Sequence, residues 1–380
     1  MLMALYGTLE AANLWYSEAS KTLTDLGFIS CNEDPCIFLK KGIKIGLYVD
    51  DFFVIAKERR LIQDLHKDLT KKYEVVKLKC DSSLLFLGML FRFNESIVSV
   101  KIDLVDIVKD IQGISDKPCS MNLFHSKEDS PPLDTNQAAM FHTTVAKLLY
   151  ISKRTRPDIL LPVNILCTRV KAPTKEDWDK LLKVLKYLKS TLDMELLIGI
   201  TINEDKSINL NSYIDAAYSV HQDLKSHSGA CFSIGQGTIM SCSTKQACVS
   251  KSSTEAELIA YTDFIGEAMA LKNTVQEICE YKVNLHILQD NQSVLSIVTT
   301  GKLSGKSKHA SKHVKVRVAW IKERSDQKEF TTEYCPTELM MSDGLTKPKS
   351  SNDHSIFREM IGVNFPPTFT KERAEDIEVS

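Results

Sequence analysis

The sequence predicts a protein of mixed α+β and α/β class, because strand patterns and helical patterns alternate along its 380 residues. Short runs rich in β-branched and aromatic residues occur before residue 113 and again after residue 206. Three helical patterns, at 135–152, 158–171 and 175–190, separate these two strand-rich regions. A chain of this length can form two or three domains with cores of their own.

The overall composition excludes some classes of protein. The net charge is −1, so a nucleic-acid-binding surface must be local. The ten cysteines include no CxxC pair, and the closest spacings are Cys31/Cys36 and Cys242/Cys248. This pattern argues against a zinc ribbon and indicates free thiols in a reducing, intracellular compartment, cytoplasmic or nuclear. No apolar run reaches about 18 residues, so we expect neither a membrane span nor a membrane partner.

The N-terminal region is predicted to contain a helix at 8–27 and then a hairpin over 36–56, "CIFLKKGIKIGLYVDDFFVIA". The hairpin is predicted as two strands that turn at Lys41-Gly42, with Asp50 and Asp51 on its second arm. Adjacent carboxylates in an apolar run are costly to bury unless a cation neutralises them. A divalent metal ion that carries phosphate is the obvious candidate. A helix from Leu61 and a strand pair, "LLFLGMLFRF" and "IVSVKIDL", are predicted next.

The second half is predicted to form a mixed sheet with helices on its faces. Residues 114–134 have no periodicity and contain three prolines, which indicates a loop, and Thr174 can cap the helix at 175–190. From about residue 208 the predicted order is βββαβαβα. Its helices are expected at about 251–280, 306–324 and near 338–346, and the polar end, 366–380, is predicted to be a loose tail.

Four acids interrupt apolar segments of this C-terminal region. Each lies on a separate predicted element: Asp215, Glu257, Asp290 and Asp343. Taken singly they could be ordinary acids at strand ends and on helix faces. Converging at one end of a sheet, they could hold two Mg²⁺ ions, which prefer oxygen ligands and promote in-line cleavage of phosphodiesters.

Several motifs here resemble the ribonuclease H domain of copia-type LTR retrotransposon polyproteins: "IDAAYS", "LKSHSGACF", "KSSTEAELIA", "QDNQSVL", "SKHVKVR" and "SDGLTKP". The resemblance implies a ribonuclease H-like mixed five-stranded sheet, catalytic and metal-binding roles for the four acids, and Mg²⁺ or Mn²⁺ as cofactor. Glu257 is chosen over Glu255 because only Glu257 lies in "AELIA", where the family's acid precedes the aliphatic residues. Gln289 replaces the family's usual Cys, and Ser342 replaces its frequent Ala.

The N-terminal half resembles the reverse transcriptase of the same polyproteins through "LYVDDFFVIAK", "LLFLGMLF" and "KLLYISKRTRPDILLPVN". This resemblance implies metal-binding roles for Asp50 and Asp51. The family's third metal-binding Asp and its fingers are expected before residue 1, so a truncated palm without polymerase activity is predicted. The predicted domains are a partial palm and thumb at 1–113, a linker and helical connection at 114–205, the ribonuclease H-like domain at 206–348 and a tail at 349–380.

A basic segment suggests a nucleic-acid surface. Lys312, His313, Lys315 and Arg317 belong to a predicted helix with an excess of positive charge, which could contact phosphates or form a solvated face. The predicted function is cleavage of the RNA strand of RNA–DNA hybrids, with other polyprotein fragments as further candidate partners. The alternatives are a reverse transcriptase that needs the missing palm, and a catalytically silent hybrid- or RNA-binding remnant.

Overall fold

The computed structural model describes residues 8–73, 75–94, 96–125, 127, 129–303 and 312–367. The chain forms two compact units, one of residues 1–81 with 270–282 and the other of residues 82–269 with 283–380. The predicted class is confirmed, since both units combine sheets and helices. No helix within these described residues is long and apolar enough to cross a bilayer.

The first unit contains a four-stranded antiparallel sheet in the order β1-β2-β3-β4. Its core is a cluster of apolar side chains from the sheet and two helices, including Leu23, Phe38, Ile45 and Leu69. The elements are α1 (Leu9–Asp25), β1 (Ile29–Ser30), β2 (Ile37–Lys40), β3 (Ile43–Tyr48), β4 (Asp51–Ala56) and α2 (Arg59–Lys72).

The predicted two-stranded hairpin over 36–56 is wrong, because this segment forms the three strands β2, β3 and β4. The turn at Lys41-Gly42 is confirmed, but the chain reverses again after Tyr48, which pairs with Asp51. Val49 adopts a φ of 53°, a left-handed conformation that is unusual for a β-branched residue, and its carbonyl accepts the indole N–H of Trp15. The turn leaves Asp50 and Asp51 exposed to solvent, so their charges are not buried.

The second unit begins with an antiparallel sheet in the order β14-β8-β7-β6-β5. The predicted strand pair after α2 is confirmed for "IVSVKIDL", which forms β7, but wrong for "LLFLGMLFRF", which turns at Leu87-Gly88 and makes the two strands β5 and β6. Neither β8 nor β14 was predicted. The strands are β5 (Ser83–Phe86), β6 (Met89–Phe93), β7 (Ile97–Ile102), β8 (Glu195–Gly199) and β14 (Val363–Asn364). The domain boundaries at 113, 205 and 348 stay a prediction, and this sheet takes strands from both sides of all three.

A helical layer packs around an apolar cluster that includes Phe141, Leu148, Val163 and Val184. The predicted helix at 175–190 is confirmed, and Thr174 and Asp177 form a reciprocal capping box at its start. The helices are α3 (Val105–Val108), α4 (Thr135–Arg154), α5 (Leu160–Cys167) and α6 (Lys175–Ser190), with a 3-10 turn at Pro157–Ile159.

The third sheet has the strand order β11-β10-β9-β12-β13, in which β9, β10 and β11 are antiparallel and β12 runs parallel to β13. Its strands are β9 (Ser207–Ala217), β10 (His227–Ser233), β11 (Met240–Lys245), β12 (Lys282–Gln289) and β13 (Thr331–Tyr334). This is the predicted mixed five-stranded sheet with helices.

The helices that accompany this sheet are α7 (Ser253–Cys279), α8 (Gln292–Thr300), α9 (Lys312–Asp326) and α10 (Ser351–Met360). α8 and α10 were not predicted. The short helix expected near 338–346 is instead two 3-10 turns, Thr337–Leu339 and Asp343–Leu345. The start of the predicted helix at 306–324 and most of the predicted tail lie outside the described residues, at 304–311 and 368–380.

A buried ion pair stabilises the junction between the 3-10 turn and α6. Arg156 and Asp158 are 1% and 2% exposed, and two guanidinium–carboxylate hydrogen bonds of 3.0 and 2.8 Å join them. Tyr187 donates a third hydrogen bond to Asp158, at 2.7 Å, and Thr191 accepts from the guanidinium through its hydroxyl, also at 2.7 Å. The remaining guanidinium nitrogen, Nη1, donates to the Thr191 carbonyl at 3.2 Å, so every charged atom of the pair has a partner, as a buried pair requires.

Candidate metal centre

Three of the predicted acids meet in the third sheet. Asp215 on β9, Glu257 on α7 and Asp290, directly after β12, each offer one oxygen, and these oxygens lie within 4.8 Å of one another. Asp215 and Glu257 are buried and Asp290 is half-buried. Glu255 is not part of this group, and its carboxylate accepts the backbone N–H of Lys251 at the start of α7.

Neighbouring polar side chains orient each of these carboxylates. The Thr346 hydroxyl donates to Asp215 Oδ2, and the Thr337 hydroxyl donates to Asp290 Oδ2 at 3.0 Å. Gln289, which replaces the family's usual Cys, donates from Nε2 to Glu257 Oε2 at 3.4 Å. The replacement therefore supplies a hydrogen bond to a candidate ligand, which a thiol would supply only weakly.

Asp343 lies beside this group, and two lysines contact it. Lys347 Nζ is 2.7 Å from Asp343 Oδ1 and 3.5 Å from Asp215 Oδ2, so one ammonium group bridges two of the predicted ligands. Lys349 Nζ contacts the other oxygen of Asp343. Sequence reasoning missed both lysines, although Lys347 is part of the quoted "SDGLTKP" motif.

The electrostatics of the centre favour a cation. Burial raises the pKa of Asp215 above its usual value, and Lys347 only partly opposes this effect. Burial raises the pKa of Glu257 well above its usual value, and the charges of Asp215 and Asp290 add to it. Burial also disfavours the ionised form of Asp343, but Lys347 and Lys349 outweigh it and hold its pKa below the usual range. A divalent ion would stabilise the ionised forms of Asp215 and Glu257, which burial and the neighbouring carboxylates disfavour.

The turn that carries Asp343 packs closely against β10. Gly229 lies opposite Asp215 in the β9–β10 register. A Cβ at Gly229 would lie 2.7 Å from Thr346 Cγ2, 3.0 Å from Leu345 Cβ and 3.1 Å from Ser342 O. Only glycine lets the 342–346 segment approach this near to the strand.

A chain of hydrogen bonds also fixes this turn. Ser243 Oγ donates to Leu345 O at 2.7 Å, so its oxygen must accept the 2.8 Å bond from His227 Nε2. Burial lowers the pKa of His227 to about 3, so the ring is neutral and its Nδ1 must accept, at 3.0 Å, from His221 Nε2. The two histidines, which sequence reasoning also missed, thus support the Asp343 turn through Ser243 on β11.

The other predicted site residues lie apart from this group. Asp50 and Asp51 are exposed at the turn between β3 and β4, and within the described ranges no third His, Cys, Asp or Glu gathers with them as a metal group. On α9, Lys312, His313 and Lys315 are exposed. Arg317 is half-buried and donates to Thr262 and to Asp263 on α7, which gives it a structural partner.

One protein-family model matches the N-terminal part of the chain. Residues 2–121 match the family model described as reverse transcriptase (RNA-dependent DNA polymerase), so the chain includes a reverse transcriptase-like region of a kind found in enzymes.

Two curated relatives align along nearly the whole chain. The retrovirus-related Pol polyprotein from transposon TNT 1-94 of Nicotiana tabacum is 27% identical over 379 residues, covering 95% of this chain and 28% of the relative. The corresponding polyprotein from transposon RE1 of Arabidopsis thaliana is 27% identical over 378 residues, covering 96% and 25%. These matches confirm the predicted family: the chain corresponds to part of a copia-type retrotransposon polyprotein. It spans about a quarter of the length of these relatives.

A solved structure also matches the chain, the prototype foamy virus protease-reverse transcriptase. It is 14% identical with a TM-score of 0.25, and the match covers 88% of this chain and 38% of that chain.

Proposed function

We propose that residues 206–348 form a ribonuclease H domain that cleaves the RNA strand of RNA–DNA hybrids. The observation that carries this proposal is the meeting of Asp215, Glu257 and Asp290 within 4.8 Å, on three separate elements of a mixed sheet. Scattered surface acids have no reason to converge in this way, because their mutual repulsion disfavours it.

The donor set fits hard divalent cations such as Mg²⁺ or Mn²⁺. The group offers only carboxylate oxygens, and no cysteine or histidine belongs to it among the described residues. Asp215 and Asp290 would bind or bridge the ions, Glu257 would position one of them, and Asp343 would hold the second. Two such ions, when bound, activate a water molecule and stabilise the leaving oxygen of a phosphodiester.

The chain's own residues would contribute orientation. The hydroxyls of Thr346 and Thr337 fix the rotation of the Asp215 and Asp290 carboxylates, so the oxygens that face the centre are set before substrate arrives. Gln289 does the same for Glu257. Fixed ligands of this kind lower the barrier because they need no rearrangement during the reaction.

The sharpest test compares two glutamates on the same helix. Glu257→Gln removes a candidate ligand, whereas Glu255→Gln makes the same chemical change two residues away and can still accept the Lys251 N–H. We expect Glu257→Gln to reduce cleavage of a labelled RNA–DNA hybrid in Mg²⁺ by on the order of 100-fold or more, and Glu255→Gln to remain near wild type. Equal activities for the two variants, or no cleavage by the wild-type protein, would contradict the proposal.

The nucleic-acid partner is also proposed. The exposed side chains of Lys312, His313 and Lys315 form one basic face of α9 that could contact the hybrid backbone, while Arg317 would act through its contacts on α7. Binding of hybrid without any cleavage would favour the alternative of a catalytically silent binding remnant.

DNA synthesis is a second candidate, favoured by the reverse transcriptase match over residues 2–121. The exposed Asp50 and Asp51 at the β3–β4 turn would be the ligands for its metal ions, with the remaining ligands supplied by another polypeptide. Templated incorporation of deoxynucleotides by the purified chain, lost in Asp50→Asn, would support this activity. No incorporation by the wild-type protein, with or without added polyprotein fragments, would exclude it.

A further inference from the structure

Lys347 contacts the metal centre in an unusual position for a positive side chain. Its ammonium group lies between two predicted ligands, 2.7 Å from Asp343 Oδ1 and 3.5 Å from Asp215 Oδ2. The remaining oxygen of Asp343 is contacted by Lys349. The fourth carboxylate is thus held by lysines on both of its oxygens, whereas oxygens of the other three lie within 4.8 Å of one another and only Asp215 among them forms an ion pair with Lys347.

The balance of charge in this arrangement indicates two unequal metal sites. Four ionised carboxylates carry four negative charges, and Lys347 and Lys349 carry two positive ones, which leaves two negative charges and room for one divalent ion. That ion fits the group of Asp215, Glu257 and Asp290. A second ion between Asp215 and Asp343 would have to share its place with the ammonium group of Lys347.

The geometry of Lys347 allows it to leave. It follows Asp343 by four residues, and 44% of its side chain is exposed, against 23% for Lys349. A flexible four-carbon stem of this kind can swing its ammonium group into water without any change in the backbone. Asp215 and Asp343, in contrast, are 1% and 7% exposed and have no such freedom.

We propose that Lys347 is an internal counter-cation that occupies the place of the second divalent ion between Asp215 and Asp343, and that metal binding there displaces it. This proposal rests on the proposed metal centre. It adds that Lys347 regulates how readily the second metal ion binds there. The ammonium group stabilises the centre when metal is scarce, and it weakens the second site because the ion must compete with it. The Mg²⁺ concentration at which both sites fill is therefore set by this side chain.

Metal binding by Lys347→Gln tests the proposal. With Mg²⁺ alone, titration calorimetry should show the weaker site tightened by about tenfold or more, because a unit charge next to the ion has been removed. In EDTA the same variant should unfold at a lower temperature than wild type, and Mg²⁺ should raise its melting temperature more. Lys347→Arg, which keeps the charge, should bind Mg²⁺ as weakly as wild type, and Lys171→Gln, at an exposed lysine before α6, should change nothing.

A labelling experiment on the wild-type protein tests the same proposal, and its result does not depend on whether a variant folds. Acetylation of Lys347 by acetic anhydride, followed by peptide mass spectrometry, should become several-fold faster when Mg²⁺ saturates the protein, while acetylation of Lys171 stays constant. An unchanged rate at Lys347 in metal-saturated protein would overturn the proposal, as would equal Mg²⁺ affinities for wild type and Lys347→Gln.

These outcomes separate the inference from the proposed nuclease. Hybrid cleavage by wild type together with unchanged metal affinity in Lys347→Gln would overturn the counter-cation and leave the nuclease intact. Tighter Mg²⁺ binding by the variant without any hybrid cleavage would support the counter-cation and contradict the nuclease. Absence of Mg²⁺ binding by both proteins would overturn both.

Discussion

Replacing Gly229 by alanine adds one methyl group between β10 and the turn that carries Asp343. The new Cβ would lie 2.7 Å from Thr346 Cγ2, 3.0 Å from Leu345 Cβ and 3.1 Å from Ser342 O. Rotation of side chains cannot relieve these contacts, because two of the atoms are a Cβ and a backbone oxygen. Thr346 is held by its hydrogen bond to Asp215. The turn itself must therefore move.

The size of the effect follows from these distances. Carbon atoms pack at about 3.5–4.0 Å, so the 342–346 segment must retreat by about 0.5–1 Å. Overpacking of this kind destabilises proteins by about 1–3 kcal/mol. Asp343 moves with the segment, and misplacement of a reacting group by about 1 Å can slow a reaction on the order of 100-fold. We therefore expect the rate of hybrid cleavage to fall strongly while the protein stays folded.

Gly266→Ala is the matched control, because it adds the same methyl group on the exposed face of α7. Among the described residues nothing lies within 4 Å of its added Cβ, and alanine should stabilise the helix by up to about 1 kcal/mol. Thermal unfolding and cleavage rates would be measured for both variants in Mg²⁺. A Gly229→Ala protein that unfolds and cleaves like wild type would refute the reasoning, and the unfolding measurement tests the packing argument independently of catalysis.

Three further predictions concern stability, pH and salt. Asp158→Ala leaves the charged side chain of Arg156 buried without its carboxylate. We therefore expect unfolding in guanidinium chloride to show a free energy of unfolding lower than wild type by about 3–5 kcal/mol, and a decrease under about 1 kcal/mol would mean that water reaches the pair. In EDTA, the melting temperature of Asp215→Asn should rise relative to that of wild type as the pH is raised from about 5 to 8, because burial raises the pKa of Asp215 in the folded protein and its ionisation then costs stability. Comparing the two proteins cancels the opposite effect of buried neutral histidines such as His227, whose lowered pKa makes both proteins less stable as the pH falls. An equally steep profile in Asp215→Asn would contradict this origin. Lys315→Ala should weaken hybrid binding and flatten the dependence of log affinity on log salt by about one unit, and an unchanged slope would mean that this side chain contacts no phosphate.

Features determined by local sequence were predictable. The start of α6 follows from Thr174 and Asp177, which cap it within a single turn. The turn at Val49 could not be predicted in the same way. "LYVDDF" contains neither glycine nor proline, and its left-handed residue is β-branched, so tertiary contacts such as the one from Trp15 must stabilise it. The hairpin prediction failed at this point for that reason.

The candidate site was also predictable in part: its acids could be predicted from the sequence, but the lysines that contact Asp343 could not. Motifs assigned Asp215, Glu257 and Asp290 to separate elements, and the structure brings those elements together. The pairing of Asp343 with Lys347 and Lys349 was not predictable, because it depends on how the 342–346 turn packs against β10. Spacing along the chain indicates which residues carry chemistry, but not which partners neutralise them.

The sheet β14-β8-β7-β6-β5 cannot form completely until its edge strand β14, the last of its strands to be made, has been translated. Its second strand, β8, lies between β14 and β7. It pairs with β7 through residues that are separated by about a hundred positions, and with β14 only after residue 363 has been made. While the ribosome is still translating the intervening sheet, one edge of β8 has no partner among the described strands, and such edges invite association with other chains. Completion of the fold must therefore wait for the two-residue strand Val363–Asn364, whose pairing also brings Gly362 and Gly237 against Leu197. A nascent chain stalled before that point would be a natural client for a chaperone.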